Sequence, residues 1–219
     1  MRPTPLLLLP LLPLLTTASP LKTLTTLDAP PSPPPRIISV SYSGSGCPSS
    51  SPSVDRTGGF EDTSLRLNAF EARAPGAPET ASANCQAHLS IAGAAAPGWQ
   101  VGVRDVYVRG HLVLDPGAAV DYYVTSFWSE DAGVTSTIRG TLENPNPTRL
   151  DQDITAHSTV ADNAVAFSPC TTSGGDGGVG LLNVNFRVAL QADGAKYAYF
   201  GKDPDTTASE SWSYVWRRC

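Results

Sequence analysis

The sequence predicts an all-β protein: a single antiparallel β-sandwich, jelly-roll-like or immunoglobulin-like, closed by two disulfides. Three observations predict it. Short runs alternate apolar and polar residues with a period of two, as half-buried strands do. Gly- and Pro-rich breakers such as "DPGAA", "NPNP" and "KDPDTTAS" separate those runs at short intervals, the signature of an antiparallel sandwich or jelly roll. The four cysteines all follow a segment that reads as a secretory leader.

That leader comes first. Arg2 precedes an apolar run from Leu6 to Leu15, and the small residues Thr16, Thr17 and Ala18 follow. A basic start, an apolar centre and a small-residue end make residues 1–18 a signal peptide. The run is shorter than the roughly 20 residues that span a bilayer, so the expected location is extracellular, with no membrane partner after cleavage. Residues 19–36 contain Pro30, Pro31, Pro33, Pro34 and Pro35. Proline lacks the amide donor and fixes φ, so this stretch reads as an extended leader or linker. The sandwich domain is expected over 37–219.

Within that domain the clearest strand is "GLLNVNFRVALQ". Leu182, Val184, Phe186, Val188 and Leu190 face one way, and Asn183, Asn185, Arg187 and Gln191 the other. "NCQAHLSIAG" alternates in the same manner, with Cys85, Ala87, Leu89 and Ile91 against Gln86, His88 and Ser90. "SLRLNAF" puts Leu65 and Leu67 on one face, and "DITAHSTV" sets Ile154, Ala156 and Val160 against Thr155, His157 and Thr159. The long run "WQVGVRDVYVRGHLVLD" changes phase. Val101 and Val103 are odd-numbered, whereas Val106, Val108, Leu112 and Leu114 are even. A slip at Arg104–Asp105 predicts a β-bulge or bend. No long 3.6-residue period and no internal repeat is evident, which removes helical-bundle and propeller readings.

Cys47, Cys85, Cys170 and Cys219 are widely spaced and even in number, which in a secreted chain favours disulfides over zinc. Four cysteines allow three pairings and the sequence does not choose among them. The sequential scheme, Cys47–Cys85 and Cys170–Cys219, is the expectation, worth about 4 kcal/mol per bridge from loop closure. A last-residue cysteine would staple the terminal strand.

Candidate chemistry is sparse. Gly175-x-Gly177-x-x-Gly180 has the spacing of a dinucleotide fingerprint but runs into a strand rather than a helix, so it reads as a loop. His88, His111 and His157 show no metal-ligand spacing, and His88 and His157 sit on polar strand faces; a metal site would have to assemble in space. "SYSGSGC" lacks the first glycine of a nucleophile elbow. Asp105, Asp121, Glu130, Asp131, Asp203 and Asp205 are carboxylates, but nothing selects a catalytic pair. Asp203 and Asp205 flank a proline, where Asp usually caps its own turn. In "WSYVW", Trp212, Tyr214 and Trp216 share one face. Such a row is either core or a flat platform for sugar rings, and Trp128 poses the same choice.

The segments "GSGCP" (44–48), "NCQAHLSI" (84–91), "GWQVGVRDVYVRGHLVLD" (98–115) and the closing "YVWRRC" together resemble a fungal secreted family called domain of unknown function 4360, over residues 37–219. The resemblance implies a secreted protein with four structural cysteines. It implies no activity and no catalytic residue. The Gly-rich insertion after Cys170 and the Pro-rich leader depart from the family pattern.

The net charge of −5 with only 16% charged residues and no basic cluster excludes nucleic acid as a partner. The expected function is non-catalytic association with a cell wall, a glycan or a host surface, with no cofactor and no metal. The alternative is a secreted hydrolase acting on carbohydrate.

Overall fold

The computed structural model describes residues 31–50, 52–94, 96–172 and 178–219. The expected signal peptide, most of the expected leader, and Gly175 and Gly177 of the glycine-rich loop lie outside the described residues. The strands are, in chain order, β1 (Arg36–Ser43), β2 (Val54–Thr57), β3 (Ser64–Leu67), β4 (Ala72–Ala74), β5 (Ser82–Ala92), β6 (Trp99–Leu114), β7 (Ala119–Trp128), β8 (Thr135–Glu143), β9 (Leu150–Thr159), β10 (Gly180–Gln191), β11 (Ala198–Gly201) and β12 (Ser209–Arg218). They form two antiparallel sheets. One has the order β1-β5-β10-β7-β8. The other runs β2-β3-β12-β6-β11-β4, with β9 on the free edge of β6. Because β6 is long, β12 pairs with its first part (Trp99–Arg109) and β11 with its end (His111–Leu114).

The core lies between the two inner faces. From the first sheet come Leu89, Ile91, Leu182, Val184, Phe186 and Val188; from the second come Val101, Val106, Val108, Leu112, Leu65 and Leu67, all buried. Phe70 stacks on Phe186 at 4.7 Å, and Phe200 meets both edge-on at 6.2 Å. These rings lock the sheets face to face, each pair adding about 1 kcal/mol beyond area burial.

The phase slip expected in β6 is present. Ser213 pairs with Asp105 and Tyr214 with Val103, so Arg104 is an extra residue without a partner on β12. The bulge turns the odd-numbered residues from Asp105 onward to the outside, while Val101 and Val103 stay inside. It therefore decides which side chains of β6 reach solvent.

Two disulfides close the chain in sequential order. Cys47–Cys85 is interior, with Cα atoms 5.3 Å apart, and Cys170–Cys219 lies at the exposed sheet edge, with Cα atoms 6.1 Å apart. The Cys219 N–H also donates to Gly98 O at 3.1 Å. The two arginines before it lie over rings: Arg217 over Phe167 at 3.7 Å and Arg218 over Trp99 at 3.8 Å. The last strand is thus held by ladder bonds, a covalent bridge and two cation–π contacts. Strand β1 begins at Arg36, one residue before the expected domain start, and Pro31 and Pro35 are buried. The end of the proline-rich stretch is part of the packed body.

Candidate functional site

The aromatic row offered by the sequence as core or platform lies in the interior. Trp212, Trp216 and Trp128 are 2%, 6% and 1% exposed, and Tyr214 is half-buried. Tyr214 stacks on Phe60 at 4.2 Å, Trp216 meets Trp99 edge-on, and Trp212 Nε1 donates to the Tyr214 hydroxyl at 2.7 Å. The physical reason is alternation: the even-numbered side chains of β12 face the opposing sheet. None of these residues forms an exposed sugar platform.

An exposed pair of stacked rings lies elsewhere, on the outer face of β6 and β9. Tyr107 and His157 are register partners, and their rings stack at 4.4 Å with 6° between planes. Tyr107 is 41% exposed. Beside the pair, Asp105 accepts from Thr159 Oγ1 at 2.6 Å, Ser213 Oγ at 3.0 Å and His157 Nε2 at 3.2 Å. Partial burial would raise the Asp105 pKa, but these hydrogen bonds outweigh it and hold the carboxyl below its ordinary range. Asp105 is therefore an anion that fixes three surrounding donors. The signal for this site was the phase slip, which alone puts Asp105, Tyr107, Arg109 and His111 on one outer row.

Further along that row, His111 gathers carboxylates. Its Nδ1 lies 3.0 Å from both Asp153 and Asp203, and its Nε2 lies 3.1 Å from Asp151. The ligand atoms of His111, Asp153 and Asp203 fall within 4.8 Å of one another, so these are described residues with the geometry to hold a cation. Hydrogen bonds from the Thr206 hydroxyl and from His111 hold the Asp153 carboxyl below its usual range. Asp203 Oδ1 takes the N–H groups of Asp205, at 2.9 Å, and Thr206, the self-capped turn expected from its sequence.

The remaining candidates are structural. Asp121 is buried and accepts from Thr141, Gln191 and Arg139, and the Thr141 bond leads in lowering its pKa. Glu130 accepts the Leu181 N–H at 3.0 Å. Asp131 and Asp205 are exposed. His88 lies on the opposite, outer face of the five-stranded sheet, between Ser43 (3.2 Å) and Asn183 (2.6 Å).

No curated protein matches the chain. Among the solved structures that align with it are two of low identity. One is TmCBM61 in complex with β-1,4-galactotriose, at 10% identity and a TM-score of 0.23, covering 84% of this chain and 90% of that one. The other is the enzymatically active domain of bacteriophage CBA120 tailspike protein 4, at 10% identity and a TM-score of 0.21, covering 83% of this chain and 19% of that one. At those scores neither carries an argument about this chain. The family model of the domain of unknown function DUF4360 matches residues 33–219, from just before β1 to the terminal half-cystine. That span takes in both sheets and both disulfides, and the chain therefore belongs to the DUF4360 family.

Proposed function

We propose that the protein is a secreted glycan-associating protein, and that it engages a cell-wall or host-surface glycan through the outer face of β6, β9 and β12. One observation carries the reading: the exposed Tyr107 ring, fixed in orientation by its stack on His157. A pyranose ring packs its C–H face on such an aromatic surface, while its hydroxyls need donors and acceptors at the rim. Asp105, Arg109, Thr155, Thr159 and Ser213 supply both kinds around the ring. The sheet face is open, which suits a polymer lying across it. Association of this kind needs no catalytic group. Secretion is supported by the two disulfides, which persist in oxidising compartments. No helix among the described residues is long and apolar enough to cross a membrane.

Affinity electrophoresis or pull-down on a panel of insoluble polysaccharides tests the reading. The wild-type protein is expected to be retained by at least one polymer. Tyr107→Ala is expected to lose at least tenfold in retention with a melting temperature within a few degrees of wild type. Full retention by Tyr107→Ala, or no retention of wild type by any polymer, rejects the proposal.

A further inference from the structure

We propose that Ser43, His88 and Asn183 form a nucleophile–base relay on the outer face of the five-stranded sheet, competent to hydrolyse acyl esters. The three residues come from adjacent strands. Asn183 on β10 lies directly across from His88 on β5, and Ser43 on β1 lies two residues beyond Ser41, the other register partner of His88. Ser43 Oγ is 3.2 Å from His88 Nε2, and His88 Nδ1 is 2.6 Å from Asn183 Oδ1. Both distances are those expected of a base reaching its nucleophile and of the group that orients the base.

The far end of the relay decides where the protons are. The Leu181 carbonyl can only accept, and it faces Asn183 Nδ2 at 3.3 Å; the same Nδ2 donates to Ser129 Oγ at 2.8 Å. Asn183 therefore turns its oxygen to the imidazole. An amide oxygen only accepts, so in the neutral ring Nδ1 carries the hydrogen and the Nε2 lone pair faces the Ser43 hydroxyl. That is the tautomer a general base requires. Asn183 is 3% exposed and doubly anchored, so it acts as a fixed positioning residue. Ser43 is exposed, so its oxygen is open to substrate. Gln86 lies directly across from Ser43, and its Oε1 accepts from Asn185 Nδ2 at 3.4 Å. Its Nε2 carries N–H donors on the residue directly across from Ser43, which suits a developing oxyanion.

The chemistry balances with water as the only co-reactant. Ser43 Oγ bonds to the ester carbonyl carbon as its proton passes to His88 Nε2, and the carbonyl π pair moves onto oxygen. That pair returns, the C–O bond to the alcohol breaks, and the alcohol oxygen takes the proton from Nε2. Water then attacks the acyl-serine with the same base, releasing the acid and restoring Ser43. Because Ser43 sits on an open sheet face, the substrate class is an acyl ester displayed on a polymer. This face is opposite the Tyr107 face, so the inference stands apart from the glycan-association reading.

The test is reaction of the full chain with a fluorophosphonate probe, with p-nitrophenyl acetate as the turnover substrate. One adduct is expected, mapped to Ser43 by peptide mass spectrometry. Ser43→Ala and His88→Gln are expected to lose the adduct and to lower turnover about 10²–10⁴-fold, with Ser43→Ala melting as wild type does. Asn183→Ser is expected to lower kcat while leaving KM unchanged, since it frees the ring to take the other tautomer. Absence of both adduct and turnover in wild type, or an adduct that persists in Ser43→Ala, overturns the proposal. An unchanged kcat in Asn183→Ser overturns the positioning role.

Discussion

Glu210 makes stability fall as pH rises. It projects from β12 into the core, is 1% exposed, and its Oε1 has no hydrogen-bond partner among the described residues. Its register partners are Leu65 and Val108, neither of them polar. Burial penalises the charged carboxylate and raises the pKa from 4.5 to about 8. Below pH 4.5 the group is protonated in both the folded and unfolded chains and costs nothing. Between 4.5 and 8 the unfolded chain releases the proton while the folded chain keeps it, so stability drops by up to about 1.4 kcal/mol per pH unit. Above 8 the loss levels off. The gap of roughly three and a half units corresponds to about 5 kcal/mol in total, a large fraction of the 5–15 kcal/mol of a typical domain. Urea denaturation of wild type and Glu210→Gln from pH 4 to pH 9 measures it. The difference between the two stabilities should widen in favour of Glu210→Gln across that range. Asp105, Asp121 and Asp153, whose pKa values are lowered, lose their stabilisation only as pH falls through their folded-state values, and they are common to both proteins. Parallel pH profiles for the two proteins would refute the reasoning.

Two further outcomes follow from the core and the terminus. Trp216→Ala removes a ring packed on Phe60 and Trp99 and should cost about 3–5 kcal/mol, read as a lowered denaturation midpoint; a variant as stable as wild type would contradict the interior placement. The double change Cys170→Ser with Cys219→Ser opens a link between residues 49 apart and should lower stability by about 4 kcal/mol. Hydrogen exchange at Arg217 and Arg218 should accelerate more than at Val184, and equal rates would show that the ladder alone holds the strand.

Much of the fold is legible in local order. The period-two alternation of residues 182–190 and 85–91 marks β10 and β5, and the parity change at Arg104–Asp105 marks the bulge in β6, because side-chain direction in a strand depends only on position along it. Strands β1 and β8 carry weaker signals. The bulge between Ile37 and Ser39 breaks the alternation of β1, and β8 has Ile138 and Leu142 as its only large apolar residues. Parity also groups Trp212, Tyr214 and Trp216, but it does not say whether their face meets the other sheet or water. Only the stacking of the two sheets decides that, and it assigns them to the core. The same holds for the sites. Tyr107 meets His157, and Ser43, His88 and Asn183 meet one another, through the register of strands separated by 45 to 95 residues in the chain. Register across such distances is a property of the assembled sheet, set by which hydrophobic faces must be buried together, and no local stretch of the sequence contains it.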